Sequence, residues 1–256
     1  MNESIDFGGQ VVWQPAPEQI KNARLTDFMH RHEIAGFNDL IDRSTADIAW
    51  FTEAVLEYLD IQFYEPFSEV VDLSQGIAWP RWCVDGKMNI VHNCLDKYIG
   101  TPVEHRRALV WEAESGQSRS MSYRDLSREV NQVANALRSL GIGKGDAVGL
   151  YMPMIPEVVI ALLAVAKIGA VILPLFSGYG VEAISSRLND GQAKALFTVD
   201  GFSRRGKPIA VKPVVDQVAR QVSSLVSVII NNSLNLEIDL APGRDHLWHE
   251  LVDPQP

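Results

Sequence analysis

Three stretches hold residues whose types and spacing could do chemistry. Gly141, Gly143 and Gly145, with Lys144 between them, invite comparison with a phosphate-cradling loop. Such a loop follows a strand and opens a helix, so that backbone N–H groups face the anion. Here the glycines follow a helical pattern and precede a strand, which reads as a helix C-cap and a turn. Cys83, His92 and Cys94 are three potential metal ligands in a short run, but their spacing fits no common zinc pattern and neither cysteine sits in a Cys-x-x-Cys knuckle. That run, from Trp79 to Tyr98, reads as a Trp-rich loop leading into a short helix near Ile90–Tyr98. Arg204, Arg205 and Lys207 surround Gly206; taken alone, three cations on a loop describe a solvated face. The six histidines are scattered, with no nucleophile elbow among them.

The elements that must position these residues follow from periodicity. Residues 47–59 place Ile48, Phe51, Val55, Leu56 and Leu59 at helical spacing, within an aromatic-rich first eighty residues that alternate helices with loops. That aromatic set reads as core or inter-subdomain packing, since aromatics contribute the largest buried areas. Ala108–Glu112 and Met121–Tyr123 read as a hairpin closed by the polar run 113–120. Ser122 stands three residues before Asp125, a capping box with Asp in place of Glu, ahead of a helix striped by Leu126, Val130, Val133, Leu137 and Leu140 and ended by Gly141.

Beyond this, strand and helix alternate: strand 147–152, helix 157–168, buried strand 170–175, loop Phe176–Gly180, helix 181–188, strand 193–199, basic loop Gly201–Pro208, helix 213–221 and strand 226–230. The long apolar run Val158–Phe176 belongs to this pattern and is no membrane span, because Pro153 and Pro156 punctuate its start and Gly169 divides it. The expected fold is therefore α/β: a layered, mostly parallel sheet with helices on both faces, preceded by a helical and loop extension. Ligands in such folds sit outside the carboxyl ends of strands, where the loops Phe176–Gly180 and Gly201–Lys207 fall.

Composition bounds the function. A hydrophobic fraction of 46% supports an ample globular core, and a formal charge of −9 argues against nucleic acid or an anionic membrane as the main partner. Two cysteines make no disulfide framework, and residues 1–20 lack a basic and apolar leader pattern, so a cytoplasmic location is expected.

The run from Tyr123 to Ile209 resembles the amino-terminal part of the adenylate-forming acyl-CoA synthetases, and within them the acetyl-CoA synthetase group. The resemblance is carried by YMPMIPE at 151–157, by the helix after it, by the Lys-Ile-Gly-Ala step at 167–170, and upstream by LDIQFYEPFSEVVDLS, WPRW and MNIVHNCLDK. It covers roughly residues 50–215 and implies an extension over 1–105 followed by a first, truncated α/β subdomain of the AMP-binding region over 106–256.

The resemblance also implies an activity: a short-chain carboxylic acid and MgATP give an acyl-adenylate with release of pyrophosphate, and the acyl group passes to the thiol of coenzyme A. ATP, coenzyme A and Mg²⁺ are the implied substrates and cofactor. The Ser/Thr/Gly-rich phosphate loop ending in Lys, the adenine and ribose motifs and the mobile carboxy-terminal domain with its catalytic Lys do not occur in these 256 residues. The chain is accordingly expected to be an amino-terminal portion, partnered by the remainder of the same protein, with no catalytic residue and no metal site, and inactive by itself. A short noncatalytic coenzyme A or nucleotide-binding module, and an acyl-AMP ligase for other acids, are the alternatives.

Carried over residue by residue, Arg204, Arg205, Gly206 and Lys207 match an Arg-x-Gly-Arg segment that contacts the 3′-phosphate end of coenzyme A. Lys207 replaces the second Arg, which keeps charge and loses the bidentate fork. Phe176, Ser177 and Gly178 match a Phe-Gly-Gly segment lining the coenzyme A side of the cleft; a plain strand-to-helix turn is the alternative for that loop.

Overall fold

A computed structural model describes residues 12–256; the first eleven residues, with the start of the leader stretch and of the 1–105 extension, lie outside the described residues. The chain forms two compact units, the first ending at Lys87 and the second running from Met88 to Pro256.

The first unit opens with four helices: α1 (Pro17–Lys21), α2 (Arg24–Arg31), α3 (Phe37–Ala46) and α4 (Ile48–Tyr58). Asp47 starts α4 by accepting the Trp50 amide at 2.9 Å, which satisfies one otherwise orphaned N–H. Part of the aromatic set packs within this unit, where Phe28 is buried and meets Tyr58 and Phe51 edge to face at 5.3 and 6.2 Å, whereas Trp13, Phe37, Tyr64 and Trp79 are exposed. The expected Trp-rich loop is partly a strand. β1 (Glu69–Asp72) pairs antiparallel with β2 (Arg81–Val84), and Trp82 lies opposite Val71. WPRW concealed this because only its last two residues enter the ladder, after a proline that cannot donate.

The second unit begins ahead of the expected boundary at 105/106. Asn89 explains the early start: its Nδ2 donates to the carbonyls of Ala166 and Lys167, and its Oδ1 accepts the Val91 amide that opens α5 (Ile90–Cys94). Lys167 adds two bonds to Asp96, at 2.7 and 2.9 Å. The short helix expected near 90–98 is α5 followed by a separate 3₁₀ turn, Asp96–Tyr98.

β3 (Arg107–Glu112) and β4 (Ser118–Ser122) form the expected hairpin, and α6 (Tyr123–Ser139) begins on the expected capping box. The Ser122 amide and hydroxyl both reach the Asp125 carboxylate, the hydroxyl at 2.6 Å, while the Asp125 amide returns to Ser122 Oγ. Gly141 closes the helix at φ 76°, backbone that a side chain would strain.

The alternating region then unfolds as β5 (Ala147–Leu150), α7 (Pro156–Lys167), β6 (Val171–Pro174), α8 (Val181–Asp190), β7 (Ala195–Val199), β8 (Gly201–Arg204), β9 (Lys207–Ala210), α9 (Lys212–Gln221), β10 (Ser227–Asn231), β11 (Asp245–Leu247) and α10 (Trp248–Leu251). Five of these strands build one sheet in the order β11-β10-β7-β5-β6, and every pairing in it is parallel. No helix among the described residues is long and apolar enough to cross a membrane; Val158–Phe176 is divided between α7 and β6.

Counted along the chain, the sheet strands lie in the order 2-1-3-4-5. The path from β5 to β6 runs one way across the sheet and the path from β6 to β7 runs back over β5. Right-handed crossovers therefore place α7 on one face and α8 and α9 on the other. β5 and β7 are buried along their whole lengths. Gly149 makes this possible, because a Cβ there would lie 2.7 Å from Leu196 and 2.8 Å from Leu188. β6 corrects the expectation of a buried strand: among the described residues it is a sheet edge with β5 as its one strand neighbour, and Val171 remains 48% exposed.

Candidate functional site

Where strand order reverses, the loops at the carboxyl ends of neighbouring strands part and leave a crevice. In this sheet that point lies between β5 and β7. A cleft of about 890 Å³ opens there, within the range of small-molecule sites. Its walls come from Pro153–Ile155 after β5, Phe176 and Ser177 after β6, the hairpin after β7, Ser233 and Leu234 after β10, and the β3–β4 turn.

The basic segment after β7 is not the open loop expected from composition. β8 and β9 form a tight antiparallel hairpin in which Arg204 pairs with Lys207. The two residues between them, Arg205 and Gly206, have φ of 52° and 72°, as a two-residue turn of the primed type requires. Arginine is an unusual first residue for such a turn, since a Cβ at positive φ is strained. Arg204, Arg205 and Gly206 of the hairpin line the cleft, whereas Lys207 does not.

Phe176 and Ser177 line the same cleft, so the two segments singled out in the sequence meet although about thirty residues separate them. Gly178 does not line it and contributes indirectly. The Phe176 ring folds over it so closely that a Cβ would come within 2.6 Å of Cε1. Tyr151, at the end of β5, holds this loop: its hydroxyl donates to the carbonyls of Tyr179 at 2.9 Å and Ser177 at 3.2 Å. Burial pushes the Tyr151 phenol up, which keeps it a neutral donor. Across the rim, Trp111 Nε1 donates to the Met154 carbonyl at 2.7 Å, tying β3 to the loop after β5. Sequence reasoning passed over Trp111, since nothing local marks its indole as a fastener of residues 43 positions away.

The cleft is electrostatically mixed. Arg204 and Arg205 lie on the hairpin, Glu112 at the end of β3 and Glu114 on the β3–β4 turn. The lining residues include two arginines, several serines and the aromatic Trp111, Phe176 and Phe202, side-chain types suited to a ligand with an anionic end and an aromatic or apolar body. Glu112, Glu114 and Asp190 are exposed.

Among the described residues, no group of three His, Cys, Asp or Glu side chains is arranged to hold a metal ion. Burial pushes the Cys83 and Cys94 thiols up, away from the thiolate form that binds metals.

Comparison with known proteins gives the family context. The family described as AMP-binding enzyme matches residues 100–251, and the one described as acetyl-coenzyme A synthetase N-terminus matches residues 37–94. The acetyl-coenzyme A synthetase of Streptomyces avermitilis is 42% identical over 188 residues, covering 73% of this chain and 29% of that protein. The 3-hydroxypropionyl-coenzyme A synthetase of Metallosphaera sedula is 37% identical over 194 residues, covering 75% and 29%. Among solved structures, acetoacetyl-CoA synthetase from Streptomyces lividans superposes with a TM-score of 0.85 at 28% identity, covering 96% of this chain and 38% of that one. The chain thus spans about 29% of the length of these curated relatives.

Proposed function

This chain belongs to the AMP-binding enzyme family, and on that premise we propose that it serves an acid–CoA ligase of the acetyl-CoA synthetase group. In the reaction proposed, a short-chain carboxylic acid and ATP form an acyl-adenylate and pyrophosphate, and the acyl group is then transferred to the thiol of coenzyme A. Mg²⁺ would neutralise the displaced phosphates when bound. These 256 residues supply the coenzyme A side of that site and the scaffold beneath it. The relatives act on different acids by name, acetate, 3-hydroxypropionate and acetoacetate, so the acid is proposed only as short-chain. A cytoplasmic location is part of the same proposal.

The observation that carries this reading is the meeting of Arg204 and Arg205 with Phe176 and Ser177 in one cleft at the reversal of strand order. Two guanidinium groups suit the 3′-phosphate dianion of coenzyme A, and the aromatic and apolar wall suits the rest of the cofactor. Calorimetric titration of the 256-residue chain with coenzyme A and with 3′-dephospho-coenzyme A tests it. Tighter binding of the phosphorylated form is expected, and equal affinities would remove Arg204 and Arg205 from the account. The same chain is expected to show no acid-dependent ATP–pyrophosphate exchange, because its sequence holds no Ser/Thr/Gly-rich loop ending in Lys. Measurable exchange would overturn the assignment of adenylation chemistry to other residues.

A further inference from the structure

Asp200 is fully buried, and among the described residues its carboxylate has no cationic partner. A buried carboxylate without a counter-ion is costly unless hydrogen bonds surround it. Here backbone amides do so. Oδ1 accepts from Gly201 at 2.7 Å and from Leu234 at 3.1 Å, and Oδ2 from Leu236 at 2.8 Å and Leu234 at 3.2 Å. Its main chain is engaged as well: the carbonyl accepts from Val211 at 2.9 Å and Lys212 at 3.3 Å, and the amide donates to Asn231.

These bonds join the places that define the cleft's basic wall. Gly201 is where the hairpin β8–β9 leaves the sheet, Val211 is where it returns, and Ser233 and Leu234 line the cleft beside it. Gly201 lets the segments close up, since a Cβ there would sit 2.7 Å from both the Ile209 carbonyl oxygen and Leu236 Cδ1. Three donors converge on this side chain, so an acceptor-only group fits; an amide would turn its own NH₂ toward one of them.

We propose that Asp200 is a positioning residue for anion recognition: it clamps the root of the hairpin to residues 234–236 and so sets where Arg204 and Arg205 present their guanidinium groups. This inference rests on the coenzyme A reading above. An isosteric Asp200→Asn change leaves the sheet intact and loosens the hairpin root. Coenzyme A binding is then expected to weaken about tenfold, the loss of one well-made bond, while 3′-dephospho-coenzyme A changes by less than about twofold. A purely structural role would weaken both ligands alike.

The test is calorimetry of both ligands against the unaltered chain and Asp200→Asn, together with amide hydrogen exchange of the unaltered chain. In the unaltered chain, the Leu234 and Leu236 amides, which lie outside any strand, are expected to exchange at least about tenfold more slowly than that of Asn235 between them. Retained 3′-phosphate preference in Asp200→Asn overturns the proposal. So does fast exchange at Leu234 and Leu236, a readout that needs no variant to fold. If the unaltered chain shows no 3′-phosphate preference, the coenzyme A reading fails, and the clamp is judged by the exchange measurement.

Discussion

Lys212 Nζ lies 2.9 Å from Asp245 Oδ2, and the two side chains are 3% and 0% exposed. This ion pair binds the start of α9 to the edge strand β11, and Arg244 and Asp216 extend it: Arg244 Nε reaches Asp245 Oδ1 at 2.6 Å, and Asp216 Oδ1 is shared by Lys212 and Arg244. The network ties the three-residue strand β11 to the start of α9 in addition to its ladder with β10.

Removing Asp245 leaves Lys212 and Arg244 sharing the single carboxylate of Asp216, a buried excess of positive charge, so Asp245→Ala is expected to lower stability by about 3 kcal/mol. The paired change Lys212→Met with Asp245→Leu is expected to cost distinctly less, because no charge is left unpaired. Urea unfolding of the single and double variants checks both expectations. Equal losses would show that packing, not charge, is at stake.

Stability should fall in acid for an identifiable reason. The Ser122 hydroxyl and amide hold Asp125 below the ordinary carboxylate range, and Lys194, with the Gly143 amide, does the same for Asp146. Burial pushes Asp245 up, yet the bonds from Arg244, the Ala241 amide and Lys212 outweigh it and leave this carboxyl lowered. A depressed folded-state value means stability that is present in full above the unfolded-chain value of about 3.9 and is lost as pH falls through the lower folded values. Urea midpoints should therefore be level near neutrality and drop below about pH 4. A midpoint that rises on acidification would contradict this.

Arg205 trades stability for charge. Asn tolerates the positive-φ turn position better, so Arg205→Asn is expected to raise stability by up to about 1 kcal/mol. On the coenzyme A reading, the same change weakens coenzyme A and spares its 3′-dephospho form. Thermal unfolding and calorimetry on one variant give both answers, and a loss of stability would show that the Arg205 side chain supports the hairpin itself.

Trp111→Phe removes the indole donor to Met154 and preserves an aromatic ring. A cost of about 1 kcal/mol is expected, with faster amide exchange confined to the loop 153–155. Exchange that rises throughout the sheet would show that Trp111 acts through the core.

The elements legible in the sequence were those written in local pattern. The Ser122–Asp125 box, the stripe of α6 and the apolar run of α7 all depend on residues within a few positions of one another, and they stand where periodicity put them. The hairpin β8–β9 was hidden because its turn carries Arg where Asn or Asp usually signals one. β11 was passed over because three residues are too few for a pattern, and β6 was taken as buried because apolar content does not distinguish a central strand from an edge.

By itself, the sequence determined the longer helices and strands of the alternating region, where α6 starts and stops, and, by resemblance, which residues to watch. Only the tertiary structure decided that β5 lies between β6 and β7, which brings Phe176, Ser177, Arg204 and Arg205 to one cleft and sets the Asp200 carboxylate against amides 34 and 36 residues away. The reason is physical: the side-chain period of two says which face of a strand is buried, but not which strand lies beside it. That choice is made by packing between segments distant in the chain.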